Sequence, residues 1–154
     1  KNAPEGQRER LFNLIKETPN LTWQLLTKRA PNIAKCLPPD WEQGYNHVWL
    51  GVSVGDRKHG LPRIDHLRKV PAKVRFLSIE PLLEDLGEID LEGIHWVIVG
   101  GESGEGFRYM DPDWALRIKG QCEARSVPFF FKQTGGLDGG DGFLNGKEYK
   151  AWPL

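Results

Sequence analysis

KVRFLSIE, residues 73–80, reads as a buried strand that turns polar at its last residue. Side chains alternate across a strand, so Val74, Phe76, Ser78 and Glu80 share one face, and Arg75, Leu77 and Ile79 the other. Large apolar groups on both faces suit a parallel sheet covered on each side. With the first face inward, Glu80 is a carboxylate at the rim, and Pro81 after it biases Glu80 to extended backbone.

Four further runs share this character: TWQLLTK (22–28), HVWLGVSV (47–54), HWVIVGG (95–101) and PFFFKQ (128–133). Each is rich in β-branched or aromatic residues. Helical patterns lie between them. QRERLFNLIKE (7–17) puts Leu11, Leu14 and Ile15 on one face, and Ala30-Pro31 opens a short helix through Ile33, Ala34 and Leu37 that Pro38-Pro39 stops. Leu61, Ile64 and Leu67 mark another, ending before Pro71. Asp111-Pro112 supplies an N-cap acid and a proline at N1 for a helix through Trp114, Ile118 and Cys122. PLLEDLGEIDLEGI (81–94) has no helical pattern.

Alternating strands and helices predict βαβ units and a parallel sheet, the fold class α/β. The strands begin at residues 22, 47, 73, 95 and 128, close to the spacing of ~30-residue βαβ units. Glycines then cluster in TGGLDGGDG, and FLNGKEYKAWP reads as a hairpin around Asn145-Gly146. The expected organisation is a βα domain over 1–136 and a glycine-rich loop with a C-terminal hairpin, a lid or cap, over 137–154.

Lys plus Arg and Asp plus Glu each number 21, so any anion site must be local. No apolar run approaches the roughly 18 residues of a membrane span, and KNAPEGQRER lacks a signal-peptide core. Cys36 and Cys122 stand far apart and read as plain buried thiols of a cytosolic protein. No His, Asp or Glu grouping has metal-ligand spacing, and neither a dinucleotide nor a Walker motif is present.

Function is suggested by position. The strands finish in Thr27-Lys28-Arg29, Ser53, Ser78 and Glu80, Glu102-Ser103, and Lys132-Gln133. In parallel α/β folds ligands bind at the carboxyl ends of strands, where loops and helix N-termini converge. Solvent proximity explains any one polar end; five together point to a site. Glu80 is a base or a hydrogen-bonding group for an amine or hydroxyl, or else the ion-pair partner of Lys28 or Lys132. Lys28 and Lys132 suit a phosphate, a carboxylate or a Schiff base. Gln133 reads a substrate or a neighbouring backbone. His47 and His95 fall at strand starts, on the opposite edge, and suit structural roles; His59 and His66 are expected to be exposed.

TWQLLTKR, VWLGVSV, VRFLSIEPLL, WVIVGGESG, MDPDW, VPFFFKQTGG and NGKEYKAWP together resemble a phage-associated family of uncharacterised proteins, from about residue 5 to residue 153. That family is distantly similar to radical S-adenosylmethionine enzymes. The resemblance implies a partial TIM-like (β/α) barrel of about five βα units, and five strands cannot close a barrel of eight. It implies a preceding segment of the same protein with three clustered cysteines for a [4Fe–4S] cluster, so that this chain alone lacks radical chemistry. It also implies that Gly100, Gly101, Glu102 and Ser103 line the S-adenosylmethionine site, and that Lys28, Glu80, Lys132 and Gln133 surround the substrate. The open edge at TWQLLTK is expected to pair with the preceding strands, another chain or a second copy in a homodimer. The competing expectations are a non-catalytic nucleotide or nucleic-acid binding module using Lys28, Arg29, Lys132 and exposed tryptophans, and a Schiff-base lysine enzyme.

Overall fold

The computed structural model describes residues 4–153. Strands β1 (Trp23–Thr27), β2 (Val48–Ser53), β3 (Val74–Ile79), β4 (Trp96–Gly100) and β5 (Phe129–Gln133) form one sheet in chain order, with every pair parallel. Each strand lies inside its expected run. Helices α1 (Gln7–Glu17), α2 (Ile33–Cys36, entered through a 3-10 turn at Ala30–Asn32), α3 (Pro62–Arg68) and α4 (Pro112–Ala124) fall where the sequence places them, but α1 buries Phe12 and Ile15 and leaves Leu11 and Leu14 of its expected apolar face exposed. Asp111 caps α4, its side chain accepting a 2.9 Å hydrogen bond from the Asp113 amide. Residues 81–94 form neither helix nor strand, yet Leu82, Leu86, Ile89, Leu91 and Ile94 are buried. Gln121 of α4 holds this coil by accepting from the Ile89 amide (2.7 Å) and donating to the Gly87 carbonyl (3.0 Å).

One face of the sheet carries the helices. Val48, Leu50 and Val52, then Leu77 and Ile79, Val97 and Val99, and Phe129 and Phe131 join Phe12, Ile15, Ile33, Ile64, Leu67, Ile118 and Cys122 in a single cluster. Every helix contributes to that one cluster. A doubly wound sheet has helices on both faces; helices on one face and strands in chain order describe an arc of a (β/α) barrel, open after five strands.

The other, inner face is aromatic. Trp96 is buried at 1 % exposure, with ring centroids 5.8 Å from Trp49, 5.8 Å from Phe76, 5.9 Å from Phe130 and 4.6 Å from Trp152. A side chain at Gly51 would collide with the Phe76 ring, so the glycine makes room for it. The expectation that both faces are apolar holds, but cover on the inner face comes from this aromatic cluster rather than from helices.

The C-terminal segment reaches the inner face from the side of β5. Strands β6 (Phe143–Leu144) and β7 (Lys147–Glu148) form an antiparallel hairpin, with Asn145 (φ 50°) and Gly146 (φ 74°) both left-handed, as a type I′ turn requires. Beyond it the chain runs alongside β5. The Phe131 amide donates to the Tyr149 carbonyl (2.7 Å) and the Ala151 amide to the Phe129 carbonyl (3.2 Å). The Trp96 indole donates to the Ala151 carbonyl at 2.8 Å, bringing Trp152 over the aromatic cluster.

Candidate functional site

Because the five strands are parallel, their carboxyl ends share one edge. On β3, alternation places Ser78 and Glu80 on the inner face, beyond Phe76. Ser78 is buried, and its hydroxyl donates to Glu80 Oε2 at 3.2 Å. Glu80 Oε1 lies 3.5 Å from Lys132 Nζ at the end of β5. Of the two lysines that the sequence offers Glu80, the fold selects Lys132. The carboxylate is the sheltered partner, 21 % exposed against 54 % for the lysine side chain.

Gly100, on β4 between them, explains how the pair fits. A β-carbon there would lie 2.9 Å from Glu80 Oε1 and 3.5 Å from Gln133 Cγ. The glycine leaves space for the carboxylate. Gln133 is directed to the backbone, donating from Nε2 to the Gly101 carbonyl at 3.2 Å. Ser78, Glu80, Gly100, Lys132 and Gln133 therefore form one constellation. Lys28 stands apart: it is exposed just beyond β1, two strands and about 10 Å across the sheet from β3.

Gly101 answers to a different constraint. A β-carbon at Gly101 would collide with the Thr134 carbonyl, because the loops after β4 and β5 cross. The Gly101 amide donates to Gln133 O (2.9 Å), Gly136 N to Glu102 O (2.9 Å) and Gly104 N to Gly136 O (3.1 Å), while Ser103 and Gly136 form a bridge. The carbonyls of Gly100, Gly101 and Glu102 accept from Leu82 N, Gln133 Nε2 and Gly136 N.

Glu102 is engaged by Arg108. Arg108 Nε donates to Oε2 (2.7 Å), Nη2 to Oε1 (2.6 Å) and the Arg108 amide to Oε2 (2.9 Å). The side-chain hydrogen bonds from Arg108, then the backbone one, hold the Glu102 carboxyl down at about 2. Ser103 is exposed beside this clasp. Arg108 escaped the reading of the sequence; the available signal was an acid and a base six residues apart across a glycine-rich turn, GESGEGFR. The clasped loop leaves Phe107 (43 %) and Tyr109 (70 %) exposed.

Two histidines take the structural roles expected of them. A ring nitrogen of His47, Nε2, is 2.9 Å from the Ile15 carbonyl, and His95 Nδ1 accepts from the Arg75 amide at 3.0 Å. Burial, then the nearby Arg75 charge, pushes the His95 pKa down. His59 is exposed, as expected, whereas His66 on α3 is half-buried. Cys36 on α2 is half-buried, and Cys122 on α4 is fully buried with its thiol pushed up to about 12 by burial. A cluster needs thiolates gathered at one place; these two, on different helices, do not fit one.

Fold and site define an α/β protein of the open (β/α)-arc type, with a polar carboxyl edge centred on Glu80 and Lys132. The sequence matches the family described as "Protein of unknown function (DUF5131)" over residues 1–149, and the chain belongs to that family. No curated protein and no solved structure matches it. Among the described residues, no helix is long and apolar enough to cross a membrane.

Proposed function

We propose that the carboxyl edge is a ligand-binding wall of a radical S-adenosylmethionine-like protein, in which this chain contributes binding rather than the cluster. The observation that carries the reading is the Glu80–Lys132 pair, set over Gly100 on the inner face beyond the aromatic cluster. A carboxylate and an ammonium 3.5 Å apart suit a zwitterion. Glu80 takes the ammonium and Lys132 the carboxylate of the amino-acid end of S-adenosylmethionine, each exchanging one ion pair for another. Gly100–Ser103 border the same place. When bound to a cluster, the cofactor supplies radical chemistry; no step of it is assigned to Cys36 or Cys122. Further strands, from the same protein or a second copy, pair with the one-sided edge of β1. A cytosolic location agrees with two unpaired thiols.

Calorimetric titration of S-adenosylmethionine tests the reading. Glu80→Gln and Lys132→Met are each expected to weaken binding by about tenfold, the loss of one charge-assisted contact, with circular dichroism unchanged. Absence of binding to the wild-type chain, or binding by both variants as tight as by the wild-type chain, overturns it.

A further inference from the structure

The carboxyl edge is electrostatically divided. On the β3–β5 side charges are matched: Glu80 with Lys132, Asp85 with Arg117, Glu102 with Arg108. On the β1–β2 side, Lys28 and Arg29 follow β1, and Arg57 and Lys58 follow β2. All four are exposed, and none forms a salt bridge among the described residues. Two acids lie among these cations. Asp56 accepts from the His59 amide and pairs with its ring at 3.2 Å, and Glu84 Oε1 accepts from the Arg57 main-chain amide at 2.7 Å. Four cations against two acids on adjacent strand ends, in a chain of zero net charge, leave a local positive excess suited to a row of anions.

The same edge carries exposed aromatic surface on the loop after β4, at Phe107 and Tyr109. Strands lie about 4.8 Å apart, so the cations of β1 and the aromatics beyond β4 are separated by roughly 15 Å. That span exceeds a single base and suits a flexible polymer that offers phosphates to one side and planar faces to the other.

We infer that the edge binds a single-stranded nucleic acid, with Lys28, Arg29, Arg57 and Lys58 on its phosphates and Phe107 and Tyr109 stacked on its bases. This rests on the carboxyl edge being a ligand wall and names the class of molecule it receives. Cation contacts to phosphate give affinity without sequence preference, and stacking tolerates any base.

Fluorescence anisotropy of a labelled oligothymidylate, titrated with the full chain over a range of salt, tests this. Binding at low salt is expected, with log affinity falling against log salt at a slope of about −3 for four contacts on a single strand. The double variants Lys28→Ala/Arg29→Ala and Arg57→Ala/Lys58→Ala should each flatten that slope by about 1.4. Tyr109→Ala should weaken binding roughly tenfold by losing one stacked base. Lys69→Ala/Lys73→Ala, exposed cations preceding β3, should leave both quantities unchanged, and thymidine triphosphate should compete only weakly.

No binding at low salt, a slope indifferent to both edge variants, or competition by the mononucleotide equal to that of the oligonucleotide overturns the proposal. The wild-type chain is also titrated with S-adenosylmethionine. Cofactor binding by the wild-type chain with no oligonucleotide binding rejects the nucleic acid alone, whereas cofactor binding indifferent to Glu80→Gln rejects the underlying site.

Discussion

Along β5 the main chain of Tyr149–Ala151 supplies hydrogen-bonding partners, and Trp152 folds over the aromatic face beside it. β1, at the other side of the sheet, pairs with β2 alone, and its Leu26 is 50 % exposed on the inner face. Beneath α1 and beside β1 lies an open groove of about 1550 Å³, lined in part by Leu11, Gln24, Leu26 and Arg29. An uncovered strand edge is a row of unpaired donors and acceptors that seeks a partner. The chain covers one edge with its own tail and leaves the other unpaired among the described residues. The site follows the same division: ion pairs and crossing loops on the β3–β5 side, unmatched cations on the β1–β2 side.

The two sides of the sheet should differ most in stability at Trp96 and Leu26. Trp96→Ala should destabilise the chain by about 3–5 kcal/mol, as expected for a buried aromatic truncation, whereas Leu26→Ala on the open side should change stability by no more than about 0.5 kcal/mol. Denaturant midpoints at equal m-value decide this, and similar shifts in both variants would remove the distinction.

A smaller effect is expected at the crossing loops. Gly101→Ala forces a β-carbon against the Thr134 carbonyl and should cost about 1–3 kcal/mol, in the range of overpacked sites. Gly120, within α4, has open space at its β-carbon position, so Gly120→Ala should stabilise by about 0.5–1 kcal/mol. Thermal melts of the two variants should therefore move in opposite directions.

The subtlest test concerns the clasp between Glu102 and Arg108. Its carboxyl is depressed from an ordinary 4.5 to about 2. Ionised Glu102 thus favours the folded state above its unfolded value, and that contribution fades as pH falls from 4.5 toward 2. In Arg108→Ala the carboxylate should titrate back near the ordinary glutamate range, followed by carboxyl-carbon chemical shift. An unchanged midpoint would show that Arg108 does not set it.

Much of the scaffold was legible because its causes are local. Runs such as HVWLGVSV and KVRFLSIE become strands through their own apolar content, Asp111-Pro112 starts a helix through its own cap, and Asn145-Gly146 turns a hairpin through its own left-handed backbone. The site was legible as a set of polar strand ends, which the parallel order then aligned. Less was legible in the glycines. Gly100 answers to the Glu80 carboxylate and Gly101 to the Thr134 carbonyl, both contributed by segments distant in sequence.

Side-chain type and short-range periodicity account for the elements, their alternation and the polarity of their carboxyl ends. Folding in three dimensions was needed to bring Glu80 to Lys132 rather than Lys28, to set Arg108 on Glu102, and to lay the tail along β5 while β1 stays open. Those outcomes depend on strand order, register and loop crossing, which bring together groups that no local pattern relates.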